Sequence, residues 1–120
     1  MRKGRKITGG RYIPSRKKKL FELPGQKRLV KLGENKVKSK RTMGGNKKTF
    51  MLGAKFVNVK GKDKKIKKVQ IKNVIETPSN RFLARQNIIT KGTIVQTELG
   101  KVKVTNRPTQ EGVLNGILVE

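Results

Sequence analysis

From residue 50 onward, apolar side chains alternate with polar ones in short runs separated by Gly, Pro and Asn. Alternation with a period of two places successive side chains on opposite faces of a half-buried strand. Phe50, Leu52, Ala54 and Phe56 form the first run, which continues through Val57 and Val59. Residues 61–65 are polar and start with Gly, as a hairpin turn requires. Ile66, Val69 and Ile71 resume the pattern, and Val74 and Ile75 continue it out of phase. That slip predicts a bulge or bend between Ile71 and Val74. Residues 77–80 end the strand, and residues 81–86 suit one helical turn that pins Phe82 and Leu83 to the core. Further strands are expected at 87–90 and 93–97, then around Val102 and Val104 after a tight turn at Gly100. A loop at 106–112 leads to a last strand within 113–119.

Upstream the pattern fades. Residues 29–33 read as a short strand, and Val37, Ser39 and Arg41 alternate with Lys38, Lys40 and Thr42. Gly44, Gly45 and Asn46 interrupt that alternation with residues that tolerate positive φ. Leu20, Phe21 and Leu23 are apolar enough to dock on a core before a turn at Pro24 and Gly25. Residues 1–19 offer only Ile7, Tyr12 and Ile13 as large apolar groups after Met1. Such a segment buries too little to offset its ordering entropy. Many short strands between Gly and Pro turns, with no long helix, predict an all-β protein, a small antiparallel β-barrel whose closure removes exposed sheet edges. The expected division is a basic, extended arm over residues 1–19, disordered when free, and a body over 20–120.

Charge changes this picture. Residues 1–68 hold 25 Lys/Arg against three acids, and residues 69–120 hold seven against four, for a total of +25. A small domain that only needs solubility mixes both signs and carries a net charge of roughly 2–8. Concentrated like charge opposes compaction, and a dense polyanion such as nucleic acid relieves it.

The chain has no Cys and no His, so it lacks thiolate metal sites, disulfides, the commonest zinc ligand and the usual general base. Its seven acids are scattered, with no pair placed for acid–base work. No apolar run approaches the roughly 18 residues of a membrane helix, and no apolar segment follows the basic N-terminus as in a secretory signal. We therefore expect an intracellular binding protein that is not an enzyme and needs no cofactor or metal.

Three groups of residues are candidate phosphate contacts. Arg5, Lys6, Arg11, Arg16, Lys17, Lys18 and Lys19, together with Arg2 and Lys3, lie in an acid-free segment, which is harder to explain as solvated surface than one charge run would be. Gly9 and Gly10 fit either a flexible kink or close approach of bare backbone to a sugar-phosphate chain. Beside them, Arg11 and Tyr12 offer planar groups for base stacking. Gly44, Gly45 and Asn46, flanked by Lys40, Arg41, Lys47 and Lys48, form a turn that would present backbone N–H groups and cations together. The Gly and Lys spacing of a nucleotide-binding P-loop is absent. Lys91 in a turn with Gly92, close in sequence to Arg85, is a secondary candidate. Lys101 and Lys103 read as an ordinary solvated strand face.

The wording of these segments is specific. Thr8, Gly9, Gly10, Arg11 and Tyr12 followed by Arg16 to Lys19 resemble the N-terminus of the archaeal/eukaryotic-type small-subunit ribosomal protein eight family ("S-eight-e"). Residues 41–48 resemble its second basic signature, and residues 87–100 and 104–120 are similar to its C-terminal half. The blocks occur in the same order from about residue 4 to 120, while residues 20–32 and 60–68 match least. The resemblance implies a β-barrel with a basic N-terminal extension bound to small-subunit ribosomal RNA, in a short, archaeal-length member. It also implies neighbouring ribosomal proteins as partners, a cytoplasmic, ribosome-bound location and a monomer off the ribosome.

A DNA-architectural protein shares the electrostatics, but such proteins insert exposed apolar wedges, and no obvious wedge is legible here. An anionic-membrane binder needs a basic amphipathic helix, which Gly4, Gly9, Gly10 and Pro14 disfavour. Deleting residues 2–19 should leave the β-body folded by circular dichroism, weaken RNA binding and flatten its salt dependence. An unchanged salt slope would show that these residues do not contact phosphates.

Overall fold

A computed structural model of the protein describes residues 4–12, 15–61 and 65–119. The strands are β1 (Val30–Leu32), β2 (Lys36–Arg41), β3 (Lys47–Ala54), β4 (Phe56–Lys60), β5 (Ile66–Glu76), β6 (Ile88–Ile89), β7 (Ile94–Thr97), β8 (Gly100–Val104) and β9 (Asn115–Leu118). Two short helices, α1 (Arg81–Arg85) and α2 (Pro108–Glu111), interrupt them. The order β4-β5-β7-β8-β9 closes into a barrel, and β2-β3-β1-β6 forms a second sheet. The all-β barrel is as the alternation predicts, with one difference in its pairing. The barrel neighbours are antiparallel except at the closing seam, where β4 and β9 run parallel with Val59 opposite Gly116.

Valine builds the barrel interior. Val57, Val59, Val69, Val95, Val102 and Val104 are buried with Ile71, Val74 and Leu114. Val30, Met51, Ala54 and Ile89 of the second sheet belong to the same apolar cluster, so barrel and sheet share one core. β-Branched side chains pack well on a pleated surface and have little rotamer freedom to lose. The register of β5 against β7 shifts between Ile71 and Asn73, where the sequence slip predicts a bulge. There the Asn73 side chain accepts the Val74 N–H at 2.8 Å. A second shift between Val74 and Glu76 bends the strand further.

The inward face of β3 differs from the expected one. Met51 and Gly53 are buried, whereas Phe50, Leu52 and Phe56 are only half-buried. The chain bends at Lys55, whose N–H donates to the Asn35 side chain at 2.8 Å. Odd positions face the core on both sides of the bend, Met51 and Gly53 before it and Val57 and Val59 after it, and Ala54 beside the bend is buried as well. Leu20, Phe21 and Leu23 do not dock on the core. They lie exposed around a single 3-10 turn, Leu20–Glu22, and every described residue before Val30 is exposed. Phe82 also points outward, and α1 leans on the core through Ala84 and half-buried Leu83. The Asn80 side chain caps α1 by accepting the Phe82 N–H at 2.9 Å.

The 106–112 loop contains α2, which the sequence pattern does not announce. Gly112 ends α2 in the left-handed region at φ 72°. Asn106 ties the loop together: its Nδ2 donates to the Val113 carbonyl at 2.8 Å, and its Oδ1 accepts the Asn115 N–H at 2.9 Å. The last strand therefore starts at Asn115, and Val113 is left half-exposed. At the 61–65 turn, the Gly61 N–H donates to the Lys65 carbonyl at 3.0 Å, and residues 62–64 lie outside the described residues.

Gly116 sits where β9 crosses Val102 and Val57 so closely that a Cβ would overlap the Val102 side chain and meet the Lys103 carbonyl at 3.0 Å. Overpacking a filled core costs about 1–3 kcal/mol. Gly116→Ala should lower the thermal unfolding midpoint measured by circular dichroism, whereas Gly25→Ala, with open space around it, should leave it nearly unchanged.

Candidate nucleic-acid interface

Strands β2 and β3 form an antiparallel ribbon that places Lys40 opposite Lys48 and Arg41 opposite Lys47. Directly opposed like charges destabilise a strand pair. No acid lies between residues 36 and 48, and Lys36 and Lys38 extend the positive row along β2, all of which is exposed. The tip is a single 3-10 turn, Met43–Gly45, closed by the Thr42 N–H donating to the Asn46 carbonyl at 2.7 Å. Gly44 and Gly45 both adopt positive φ, 77° and 79°, a succession that other residues strain to adopt. The tip thus brings Lys40, Arg41, Gly44, Gly45, Asn46, Lys47 and Lys48 together, as the sequence predicts. It also carries Met43, 95% exposed. An apolar group does project from a cationic ribbon, which corrects the expectation that no wedge is present.

The body supports one face of this ribbon. Gly112 packs against Val37 and Thr49, where an added Cβ would meet Thr49 Oγ1 at 3.3 Å. At the ribbon's base the Arg28 guanidinium stacks on the Phe50 ring, 3.7 Å from its centroid. Sequence reading missed Arg28, because a single cation in a segment without periodicity gives no signal until Phe50 is brought beneath it.

The N-terminal candidates form a separate group. Arg5 pairs with Arg11 through an isolated antiparallel bridge, and the Lys6 N–H donates to the Gly10 carbonyl at 2.9 Å. Thr8 and Gly9 lie in the turn between them, with Gly9 at φ 78°. Lys6 Nζ lies 5.7 Å from the Tyr12 ring centroid. Residues 4–12 therefore turn back on themselves rather than run straight. Arg2, Lys3, Ile13 and Pro14 lie outside the described residues. Lys17, Lys18 and Lys19 are exposed, but Arg16 is engaged: its Nη1 donates to Glu22 Oε2 at 3.1 Å. This is the one ion pair among the described residues. The Arg16 guanidinium, with the Lys19 N–H as a second donor, holds the Glu22 carboxyl below its ordinary pKa.

Lys91 sits on a turn with Gly92 (φ 85°) whose N–H donates to the Val104 carbonyl at 2.8 Å. It lines a cleft of about 320 Å³ with Arg28 and Arg107. Arg107 is a second residue the sequence did not single out, since it is one cation in a loop. Arg85 lies exposed on α1 and is not among the cleft residues. A second opening, lined by Lys47, Lys48, Arg28 and Thr109, connects the ribbon to this cleft through the shared Arg28 and Thr109. Among the described residues, no group of three His, Cys, Asp or Glu converges as a metal site, and no helix is long and apolar enough to cross a membrane.

A valine-cored barrel with cationic extensions and almost no internal counter-charge defines a basic β-barrel protein. The chain belongs to the family of Ribosomal protein S8e, whose family model matches residues 1–119. It is 45% identical over 120 residues to the small ribosomal subunit protein eS8 of Nanoarchaeum equitans, covering 99% of this chain and 94% of that one. It is 48% identical over 118 residues to the eS8 protein of Sulfurisphaera tokodaii, covering 97% and 92%. The eS8 protein of Methanocorpusculum labreanum is 44% identical over 117 residues, covering 97% and 94%. These relatives are archaeal and of similar length, and membership makes the chain a ribosomal protein rather than an enzyme.

The depressed Glu22 pKa has a testable sign. The stabilisation of the 16–22 turn is complete above the ordinary glutamate value and is lost as pH falls through the lowered folded value. An NMR titration of the Glu22 carboxyl should give a midpoint below that of a free glutamate. Arg16→Gln should move it upward toward the ordinary value, and no movement would remove the guanidinium as the main cause.

Proposed function

We propose that the protein is a constituent of the small ribosomal subunit that binds ribosomal RNA through its β2–β3 ribbon and its basic N-terminal segment. The observation that carries this reading is the facing of Lys40 with Lys48 and Arg41 with Lys47 at an acid-free tip. A fold selected for its own stability alone has no reason to oppose these charges. Phosphates lying between them convert the repulsion into attraction and release condensed counterions. Gly44 and Gly45 let backbone approach the sugar-phosphate chain, while Arg41 and Asn46 supply directional donors.

Arg5, Lys6, Thr8, Gly9, Gly10, Arg11 and Tyr12 serve as a second contact, with Lys17 to Lys19 leading back toward the body. Arg16 exchanges Glu22 for a phosphate on binding. Lys91 and Arg85 are contacts at the edge of the body. Recognition rests on RNA shape and backbone rather than on base edges. A net charge of +25 disfavours self-association, which fits a monomer off the ribosome, and the RNA brings the protein beside its ribosomal neighbours in the cytoplasm.

Replacing Lys40, Arg41, Lys47 and Lys48 together with Ala should leave the barrel's unfolding midpoint unchanged or slightly raised. The slope of log affinity against log salt for small-subunit RNA fragments should become shallower by about 3, at roughly 0.7–0.9 per lost phosphate contact. An unchanged slope would take the ribbon out of the interface. Equal displacement by duplex DNA at every salt concentration would favour a general nucleic-acid binder.

A further inference from the structure

We propose that the cleft between the Lys91 turn, the start of α2 and the segment leading into β1 is a pocket for one unpaired nucleotide of the bound RNA. This inference rests on the proposed RNA-binding function and names a recognition site within it. Three cations from distant parts of the chain, Arg28, Lys91 and Arg107, line the cleft, and no acid does. Leu29, 41% exposed, supplies the accessible apolar wall, backed by Val30, Ile89 and Pro108, which are buried and fixed by the core. A site made only for phosphate has no use for such a wall, and one made only for apolar packing has no use for three cations. A nucleotide needs both, because its base is flat and largely apolar while its phosphate is anionic.

Size and access agree. The cleft volume, about 320 Å³, lies at the lower end of the roughly 300–1,000 Å³ typical of small-ligand pockets, which suits one extruded base and its ribose. Arg28 provides a stacking plane. Phe50 covers its guanidinium but does not line the cleft, so the arginine is held flat on one side while its side chain borders the pocket. RNA-binding proteins stack splayed bases on arginine planes as well as on aromatic rings. Ser79 and Thr90, whose hydroxyls lie 3.3 Å apart, add donors and acceptors for a base edge or a 2′-hydroxyl. The adjoining opening at Lys47 and Lys48 shares Arg28 and Thr109 with the cleft. A strand bound along the ribbon therefore has a cationic path to it.

The test uses the full chain and two RNA hairpins of one sequence, one fully paired and one with a single bulged 2-aminopurine. The wild-type protein should bind the bulged hairpin about tenfold more tightly, with a change in 2-aminopurine fluorescence. Arg28→Lys, which keeps the charge and loses the plane, and Thr109→Leu, which narrows the cleft, should both abolish that preference. Both should keep the wild-type salt slope and unfolding midpoint. Equal wild-type affinity for the two hairpins, with normal salt sensitivity, would overturn the pocket and leave the proposed function standing. A preference that survives both substitutions would also overturn it, because the base would be seated elsewhere. Failure to bind either hairpin would remove the RNA-binding reading and the pocket together.

Discussion

Lys40 faces Lys48 and Arg41 faces Lys47 across the β2–β3 ribbon, and the rest of the molecule has to hold these charges together against their mutual repulsion. The repulsion is modest. Two unit charges about 6 Å apart in water cost roughly 0.7 kcal/mol, and salt screens them further. Burying one valine contributes roughly 1.5–3 kcal/mol. A core containing seven buried barrel valines therefore outweighs the local repulsion with ease, and the ribbon can stay formed while it remains electrostatically unsatisfied.

This separation of duties explains the layout. Charge is kept away from the barrel interior, where Thr77, Thr93 and Thr97 are the buried polar residues, and no buried side-chain polar atom among the described residues lacks a partner. The Thr77 hydroxyl, for example, donates to the Ile88 carbonyl at 3.3 Å. The two densest cationic groups sit on segments that project from the core: the ribbon, held through Met51 and by Gly112 against Val37 and Thr49, and the N-terminal segment, held through the chain leading to Val30. Arg28 links the two, held between the Phe50 ring and the border of the cleft.

Much of this was legible in the order of residues. The strands, the bulge near Asn73, the helical turn at 81–85 and the glycine tip of the ribbon all follow from local rules about period, φ and turn chemistry. What escaped depends on contacts between distant segments. β3 turns Met51 and Gly53 inward rather than Phe50 and Leu52, a choice between two alternating faces that packing against the rest of the core decides. Leu20 and Phe21 look like core residues by composition, yet both lie exposed and outside the apolar cluster that barrel and second sheet share. Arg28 and Arg107 acquire meaning only when the fold brings them to one cleft with Lys91, and Met43 only when the ribbon lifts it clear of the body. The glycine tip needed no tertiary information; the cleft needed nearly all of it.

The parallel seam between β4 and β9 has a consequence for timing. Asn58 and Asn115, 57 residues apart, are hydrogen-bonded across it, so β4 has no partner on that side until the strand beginning at Asn115 has been made. Chains grow at roughly 5–20 residues per second, which leaves several seconds in which the basic segments are already synthesised and the barrel is still open. Throughout that interval the molecule is a polycation without a finished scaffold. Closure of the barrel therefore comes last, after every cation of the basic segments is already in the chain.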